Sequence, residues 1–157
     1  MPHLPPGIAL PMPCAHHGAA PDSVPSEQHC VALDAVYPAQ PTRIAEIRRD
    51  IVDVATRFGA DDIAVLHIKL AVSEAATNAV LHAYRGDTPP EGVHVLVRRA
   101  DAQLDVRIRD NGVGMSPRPD SPGLGMGLSL MAYEAQRFEI RAGPQGGTEV
   151  VLRFDLG

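Results

Sequence analysis

Three polar side chains recur along one otherwise apolar, alanine-rich segment. Glu74, Asn78 and His82 are each four residues apart. On a helix this spacing stacks them on one face, with Glu74 and Asn78 roughly 130° away from the apolar face. A carboxylate and an amide one turn apart can accept a proton or bind a hard cation. The alternative is a solvated polar face, which is what most such pairs on helices are.

A second group of residues follows an alternating, strand-like segment directly. Asp110 is succeeded by Asn111, Gly112, Val113 and Gly114. The two glycines remove side chains where the chain turns and where a ligand could approach the backbone. Asp110 could accept a hydrogen bond from an exocyclic amine in a sheltered pocket. The alternative is a type I′ Asn-Gly hairpin turn.

A third group has glycines at alternate positions, Gly123, Gly125 and Gly127, followed by Leu128. Backbone N–H groups at a helix start, with no Cβ in the way, form an anion site suited to phosphate. The pattern is neither a Walker loop, which needs Lys-Ser/Thr, nor a Rossmann fingerprint, which needs a preceding strand. A flexible linker is the alternative for these glycines.

The elements that would position these groups follow from hydrophobic periodicity and from turn residues. The resulting order predicts an α+β fold, a two-layer sandwich whose mixed, mostly antiparallel sheet is backed by helices. We predict strands at 29–36, 93–99, 104–109, 138–141 and 148–154, and helices at 43–58, 61–84 and 126–136.

Composition limits the function classes. Residues 1–26 hold seven prolines and no hydrophobic period, which predicts a disordered tail before a domain at 27–157. The formal charge of −5 argues against direct nucleic-acid binding. There is no run of eighteen apolar residues and no secretion signal, so we expect a cytoplasmic protein that does not span a membrane.

The three motifs, in this order, resemble the ATP-binding domains of the superfamily that includes gyrase, histidine kinases and the anti-sigma-factor serine kinases (GHKL). The likeness covers roughly residues 28–156. Within that superfamily the segment 69–84, ending in His-Ala-Tyr, looks like the first nucleotide motif of the bacterial anti-sigma regulatory kinases. Residues 146–150 resemble the final strand of that family. The resemblance implies a histidine-kinase-like ATPase fold.

The resemblance also implies roles for single residues, with ATP and Mg²⁺ as cofactors. Glu74 would be the general base. Asn78 would ligate Mg²⁺ and bind nucleotide, and His82 would also bind nucleotide. The other implied nucleotide-binding positions are Asp110 at the adenine amine, Gly112 and Gly114 around the base, Gly123, Gly125, Gly127 and Leu128 at the phosphates, and Thr148 at the adenine through water.

The implied function is a serine/threonine-protein kinase that phosphorylates an anti-anti-sigma partner and sequesters a sigma factor. Candidate partner contacts on the first helix are Arg43, Glu46 and Arg49. Relatives in this branch commonly dimerise through the sheet side, so a homodimer is also expected.

The sequence departs from the better-known kinases at one place. Only eight residues separate Gly114 from Gly123, and Arg118 is the single basic residue among them. A lid this short covers a triphosphate only partly, which favours binding over efficient transfer. Two alternatives therefore stay open: a non-catalytic, ATP-gated protein-binding module, and a histidine-kinase catalytic domain with a separate phosphoacceptor.

Overall fold

The structure is a computed structural model that describes residues 30–82, 91–114 and 124–157. The predicted N-terminal tail, the short lid with Arg118, and Gly123 lie outside these residues. Within the described ranges the chain forms five strands and three α-helices. They are β1 (Cys30–Tyr37), α1 (Ile44–Arg57), α2 (Asp62–Thr77), β2 (Val93–Ala100), β3 (Gln103–Arg109), α3 (Leu124–Glu134), β4 (Arg137–Ala142) and β5 (Thr148–Asp155).

The two helices that precede β2 are separated by a sharp stop and a side-chain cap. Gly59 has a φ of +88°, a conformation that ends helices readily because glycine carries no Cβ. Asp61 then accepts a 2.7 Å hydrogen bond from the backbone N of Ala64, which satisfies one free donor at the start of α2. These two features fix where α2 begins. They therefore also fix that Glu74 lies near its C-terminal end.

Two helices differ from their predicted bounds. The second helix is expected to reach residue 84, but its α-helical bonding ends at Thr77 and a π-helical turn, Asn78–His82, continues it. Residues 83 and 84 lie outside the described part of the chain. The third helix begins two residues earlier than predicted, because packing against α2 overrides the weak helix propensity of Gly125. It ends two residues earlier because the backbone N of Gln136 already donates to Arg153 O in the sheet.

The strand order across the sheet is β1-β2-β3-β5-β4, and all four pairings are antiparallel. The α+β class is confirmed, while the expected mixed sheet is antiparallel throughout the described strands. The strand order explains why no parallel pair forms. Helix α3 returns the chain so that β4 runs in the same direction as β3, but β5 lies between these two strands.

The helices cover one face of this sheet and form the core with it. Ile68, Val72 and Ala75 of α2 are fully buried against alternate strand residues such as Val95 and Leu152. Residues Asp62–Leu81 are long and apolar enough to cross a membrane by length and composition, with a mean hydropathy of 1.3. The buried packing of α2 accounts for that composition, since this helix lies at the centre of the core.

The opposite face of the sheet bears a ladder of charged side chains. Asp105 of β3 accepts hydrogen bonds from Arg107 at 3.2 Å and from Arg153 of β5 at 3.1 Å. On β4, Glu139 pairs with both Arg137 and Arg141. The two faces therefore differ in kind: one is apolar and covered by helices, and the other is charged.

Candidate functional site

The topology brings four chain segments to one end of the sheet. Strand β3 runs toward this end and β5 runs away from it, with Arg109 paired to Glu149 where they meet. Helix α3 ends at the opposite end of the sheet, where the backbone N of Gln136 donates to Arg153 O, so its start is directed toward this end. The C-terminal part of α2 lies against that start, where Glu74 approaches Gly127. The predicted site residues on these segments are thus gathered together.

Asp110 is held in place by three hydrogen bonds. Its backbone N donates to Thr148 O at 3.0 Å, which extends the β3–β5 ladder by one residue. Its side-chain Oδ1 accepts from the backbone N of Gly112 at 2.9 Å and of Thr148 at 3.2 Å. Both side-chain bonds go to the same oxygen, and Oδ2 receives neither of them. These two bonds fix the orientation of the carboxylate.

Burial is the main electrostatic influence on this carboxylate. Asp110 is only 7% exposed, and Thr148 beside it is 5% exposed. Desolvation raises the pKa of Asp110 above its ordinary value, while the N–H donors of Gly112 and Thr148 oppose that rise. A buried, ionised carboxyl group lowers the stability of the folded chain. It is also suited to accept a hydrogen bond from a donor on a ligand.

The backbone around Asp110 is crowded by glycines of two turns. A Cβ built on Gly147, whose φ is +72°, would lie 2.1 Å from Asp110 O. A Cβ on Gly114, whose φ is +80°, would lie 3.8 Å from Gly147 O. The turn after β3 and the turn before β5 therefore pack closely.

The hairpin alternative for Asn111-Gly112 is wrong. Strands β2 and β5 already occupy both edges of β3, so no further strand can pair with β3 through a turn at these residues.

An ion pair lies directly behind this arrangement. Arg109 donates to Glu149 Oε1 at 2.7 Å, and these two residues immediately adjoin Asp110 and Thr148 in the ladder. The Glu149 side chain is 8% exposed. Since alternate residues of a strand point to opposite faces, this pair braces the register of β3 and β5 from the charged side of the sheet.

Glu74 lies at the seam between α2 and α3. It is half-buried, and among the described residues no hydrogen bond or ion pair reaches its carboxylate. A Cβ built on Gly127 would lie 2.7 Å from Glu74 Oε2. Gly127 therefore gives this carboxylate room beside the first turn of α3, a role that the sequence did not predict for it.

Asn78 follows Glu74 by one turn and is also half-buried. Its backbone N bonds to Glu74 O in the α-helical pattern, and it is the first residue of the π-helical turn. Turns of this kind inside helices often occur at functional sites, because they redirect the residues that follow. His82 is the final residue of that turn.

The remaining predicted residues occupy the start of α3. Gly125 lies in its first turn, where backbone N–H groups have no acceptor within the helix. The side chain of Leu128 packs against the hydrophobic core, so a ligand contact from this residue would come from its backbone.

The sequence reasoning missed Gly147, the Arg109–Glu149 pair and the clearance at Gly127. The first two depend on cross-strand register and the third on helix packing. The only sequence clue was the double glycine at 146–147.

Two neighbouring glycines offer a matched test of the crowding at Asp110. Gly147→Ala should lower the free energy of unfolding by clearly more than Gly146→Ala. Both alanines carry the penalty of a left-handed conformation, about 1–2 kcal/mol, but a Cβ on Gly146 meets nothing within 4 Å. Urea unfolding of the two variants measures the difference, and equal losses would contradict the close contact.

Replacing the buried carboxyl group of Asp110 tests its electrostatic cost. The unfolded chain ionises this residue at a lower pH than the folded chain, so its contribution to stability falls as pH rises through that window and stays low above it. Asp110→Asn keeps an acceptor oxygen, so its free energy of unfolding at pH 7 should equal or exceed that of the wild type. The variant's advantage should shrink below the ordinary aspartate pKa. Chemical denaturation at both pH values measures the difference in free energy of unfolding between the variant and the wild type. A variant that is less stable than the wild type at pH 7 would contradict the destabilising burial of this carboxylate.

Comparison with known proteins agrees with this geometry. Residues 37–154 match the family described as histidine kinase-like ATPase domain. The chain is 34% identical over 100 residues to the anti-sigma F factor of Shouchella clausii, covering 57% of this chain and 68% of that protein. It is 31% identical over 133 residues to the serine-protein kinase RsbW of Bacillus subtilis, covering 76% and 82%.

Solved structures show the same fold. The RsbU and RsbW domains of Rv1364c from Mycobacterium tuberculosis superpose with a TM-score of 0.63 at 25% identity, covering 79% of this chain and 32% of that one. The histidine kinase domain of a blue-light activated kinase from Erythrobacter litoralis gives a TM-score of 0.51 at 22% identity, which shows the fold alone. The recognition made from the motifs is confirmed: the chain belongs to the histidine kinase-like ATPase domain family, in the branch of the anti-sigma F factors and RsbW serine-protein kinases.

Proposed function

We propose that this protein is an ATP-dependent serine/threonine-protein kinase that phosphorylates an anti-anti-sigma partner and sequesters a sigma factor. The observation that carries the proposal is the Glu74 carboxylate, which is free of protein partners among the described residues and lies against Gly127 in the first turn of α3. A base beside a helix start suited to phosphate is the arrangement that phosphoryl transfer to a hydroxyl needs.

The adenine end of ATP fits the strand ends. Asp110 is buried, and Gly112 and Thr148 orient it through Oδ1. In this proposal Oδ2 accepts the hydrogen bond from the exocyclic amine. Gly112 and Gly114 leave the adjoining turn without side chains, and Thr148 would reach the base through water. Because an ionised carboxylate only accepts hydrogen bonds and the amine of adenine donates one, this site favours adenine over guanine, which carries a carbonyl at that position.

The triphosphate end fits the start of α3. The backbone N–H groups of its first turn, which includes Gly125 and Gly127, present partial positive charge to an anion. In this proposal Gly123, Leu128 and His82 also contribute to nucleotide binding. The placement puts the phosphates beside Glu74 and away from the charged face of the sheet.

Asn78 is the residue that would hold Mg²⁺. Its amide oxygen is a hard ligand one helical turn from Glu74, and no cluster of three His, Cys, Asp or Glu side chains exists within the described residues. Mg²⁺ commonly takes one or two protein oxygens and fills its shell with phosphate oxygens and water, so a single amide suffices. When bound, the cation would neutralise charge on the phosphates.

Glu74 would act on the nucleophile. Its carboxylate accepts the proton of the partner's serine or threonine hydroxyl as that oxygen bonds to the γ-phosphorus and ADP leaves. The half-buried position beside Gly127 holds the carboxylate in place without a competing protein donor among the described residues. Loss of Glu74 therefore removes proton transfer while nucleotide contacts remain.

A basic groove between α1 and α2 is the surface we propose for protein partners. Two of the three predicted contacts, Glu46 and Arg49, line it, and Arg43 pairs with Glu46 at its edge. Three cations and one carboxylate face the groove of a chain whose net charge is negative, so it suits an acidic segment of the partner. The lining residues are Thr42, Ala45, Glu46, Arg48, Arg49, Val52 and Lys69.

A protein that binds a sigma factor would act in the cytoplasm, where sigma factors are found. The expected homodimer stays a prediction.

Transfer of label from [γ-³²P]ATP to a purified anti-anti-sigma protein tests the kinase activity. Glu74→Gln should lower the rate by about 100-fold or more, because general-base catalysis is worth that much, with ATP affinity nearly unchanged. Asp53→Asn, an exposed carboxylate on α1, is the matched control and should transfer normally.

Two outcomes would contradict the kinase activity, and a third would contradict the role of Glu74. Binding of ATP without any transfer indicates a nucleotide-gated binding module. Acid-labile label on a separate protein indicates a histidine-kinase catalytic domain. Normal transfer by Glu74→Gln removes this residue from the role of base.

Charge reversal tests the basic groove. Arg48→Glu should weaken binding of the sigma factor or the anti-anti-sigma partner by about tenfold or more, because it repels an acidic segment. Arg57→Glu, on the same helix but outside the groove, is the control. Calorimetry measures both partner and ATP affinity, and equal partner affinities for the two variants would exclude this surface.

A further inference from the structure

A histidine–carboxylate pair ties α2 to α3 at the end of their seam away from Glu74. His67 Nδ1 contacts Glu134 Oε2, and the Glu134 side chain is only 8% exposed. Glu134 is the last residue of α3, whose final turn carries no basic residue. A buried carboxylate at the negative end of a helix dipole is unfavourable unless a donor or cation meets it. His67 supplies that partner.

The spacing connects this pair to the site. His67 and Glu74 are seven residues apart on α2, and Gly127 and Glu134 are seven apart on α3. Seven residues return a helix to nearly the same face, about 20° short. The two helices are antiparallel here, so His67 meets Glu134 at one end and Glu74 meets Gly127 at the other. The two contacts lie about 10.5 Å apart along the same seam.

The described hydrogen bonds at the end of α3 come from the residues just after it. The backbone N of Gln136 donates to Arg153 O at 2.9 Å, and its side chain bonds Asp155 twice. Those bonds fix where α3 ends. Core packing of Leu128 and Met131 limits the rotation of α3 about its axis. The Glu134 side chain also projects from the helix itself, and its contact with His67 fixes that rotation at the seam with α2.

We propose that His67 and Glu134 are positioning residues that set the rotation of α3 and so hold its first turn against Glu74. A rotation of roughly 25° displaces a Cα on the helix cylinder by about 1 Å, which would close or open the narrow space at Gly127. The consequence for nucleotide binding rests on the proposed function, whereas the consequence for the first turn of α3 does not.

The test compares two histidine–carboxylate pairs. His67→Leu removes the positioning contact, and His94→Leu removes the His94–Asp34 pair between β1 and β2, far from α3. Without nucleotide, amide hydrogen exchange in residues 124–130 should rise in His67→Leu alone. Affinity for a non-hydrolysable ATP analogue with Mg²⁺ should fall by about tenfold or more in that variant alone.

Rescue separates positioning from general stability. The double variant His67→Glu with Glu134→Lys exchanges the charges and should restore slow exchange and analogue affinity. If His67→Leu fails to fold, Glu134→Gln provides the same comparison. Unchanged exchange in residues 124–130, or equal effects of His67→Leu and His94→Leu, would overturn the inference. Failure of the wild-type protein to bind the analogue would instead overturn the proposed function, because the exchange measurement stands without nucleotide.

Discussion

The hydrogen bonding between Asp110 and Thr148 is the constraint on which the candidate site depends. It exists because β5 inserts between β3 and β4, so that the end of one strand meets the start of the other. The bonds at this junction place a desolvated carboxylate beside two glycine turns. The energetic cost of burying that carboxylate is tolerable because two N–H groups donate to its Oδ1. The proposed adenine-binding end of the site is thus built from the sheet itself.

The second half of the site depends on helix packing. Helices α2 and α3 meet along one seam, with Glu74 facing Gly127 at the site and His67 facing Glu134 at the other end. The glycine leaves this space open, because a Cβ would lie 2.7 Å from the present position of Glu74 Oε2. The proposed general base and the proposed phosphate-binding helix start are therefore brought together by helix packing. A small rotation of α3 would change the distance between them.

Much of this could be predicted from sequence because the information is local. Glu74 and Asn78 share a helix whose apolar period is unambiguous, and Asp110 follows a clearly alternating strand. The order of elements then gave the fold class. The clearance at Gly127, the contact of Gly147 with Asp110 O and the His67–Glu134 pair join residues distant in the chain. They depend on strand order and helix rotation, which no local pattern specifies. The π-helical turn at Asn78 was missed for a similar reason, since its sequence has ordinary helical propensity.

In the proposed site, the end of α2 and the start of α3 hold the phosphates of ATP with Mg²⁺ at Asn78. Calorimetric titration with ATP, with and without Mg²⁺, tests this arrangement when the wild type is compared with Asn78→Ala. Mg²⁺ should strengthen ATP binding to the wild type by about tenfold or more, and Asn78→Ala should lose this gain. The same gain from Mg²⁺ in both proteins would contradict it.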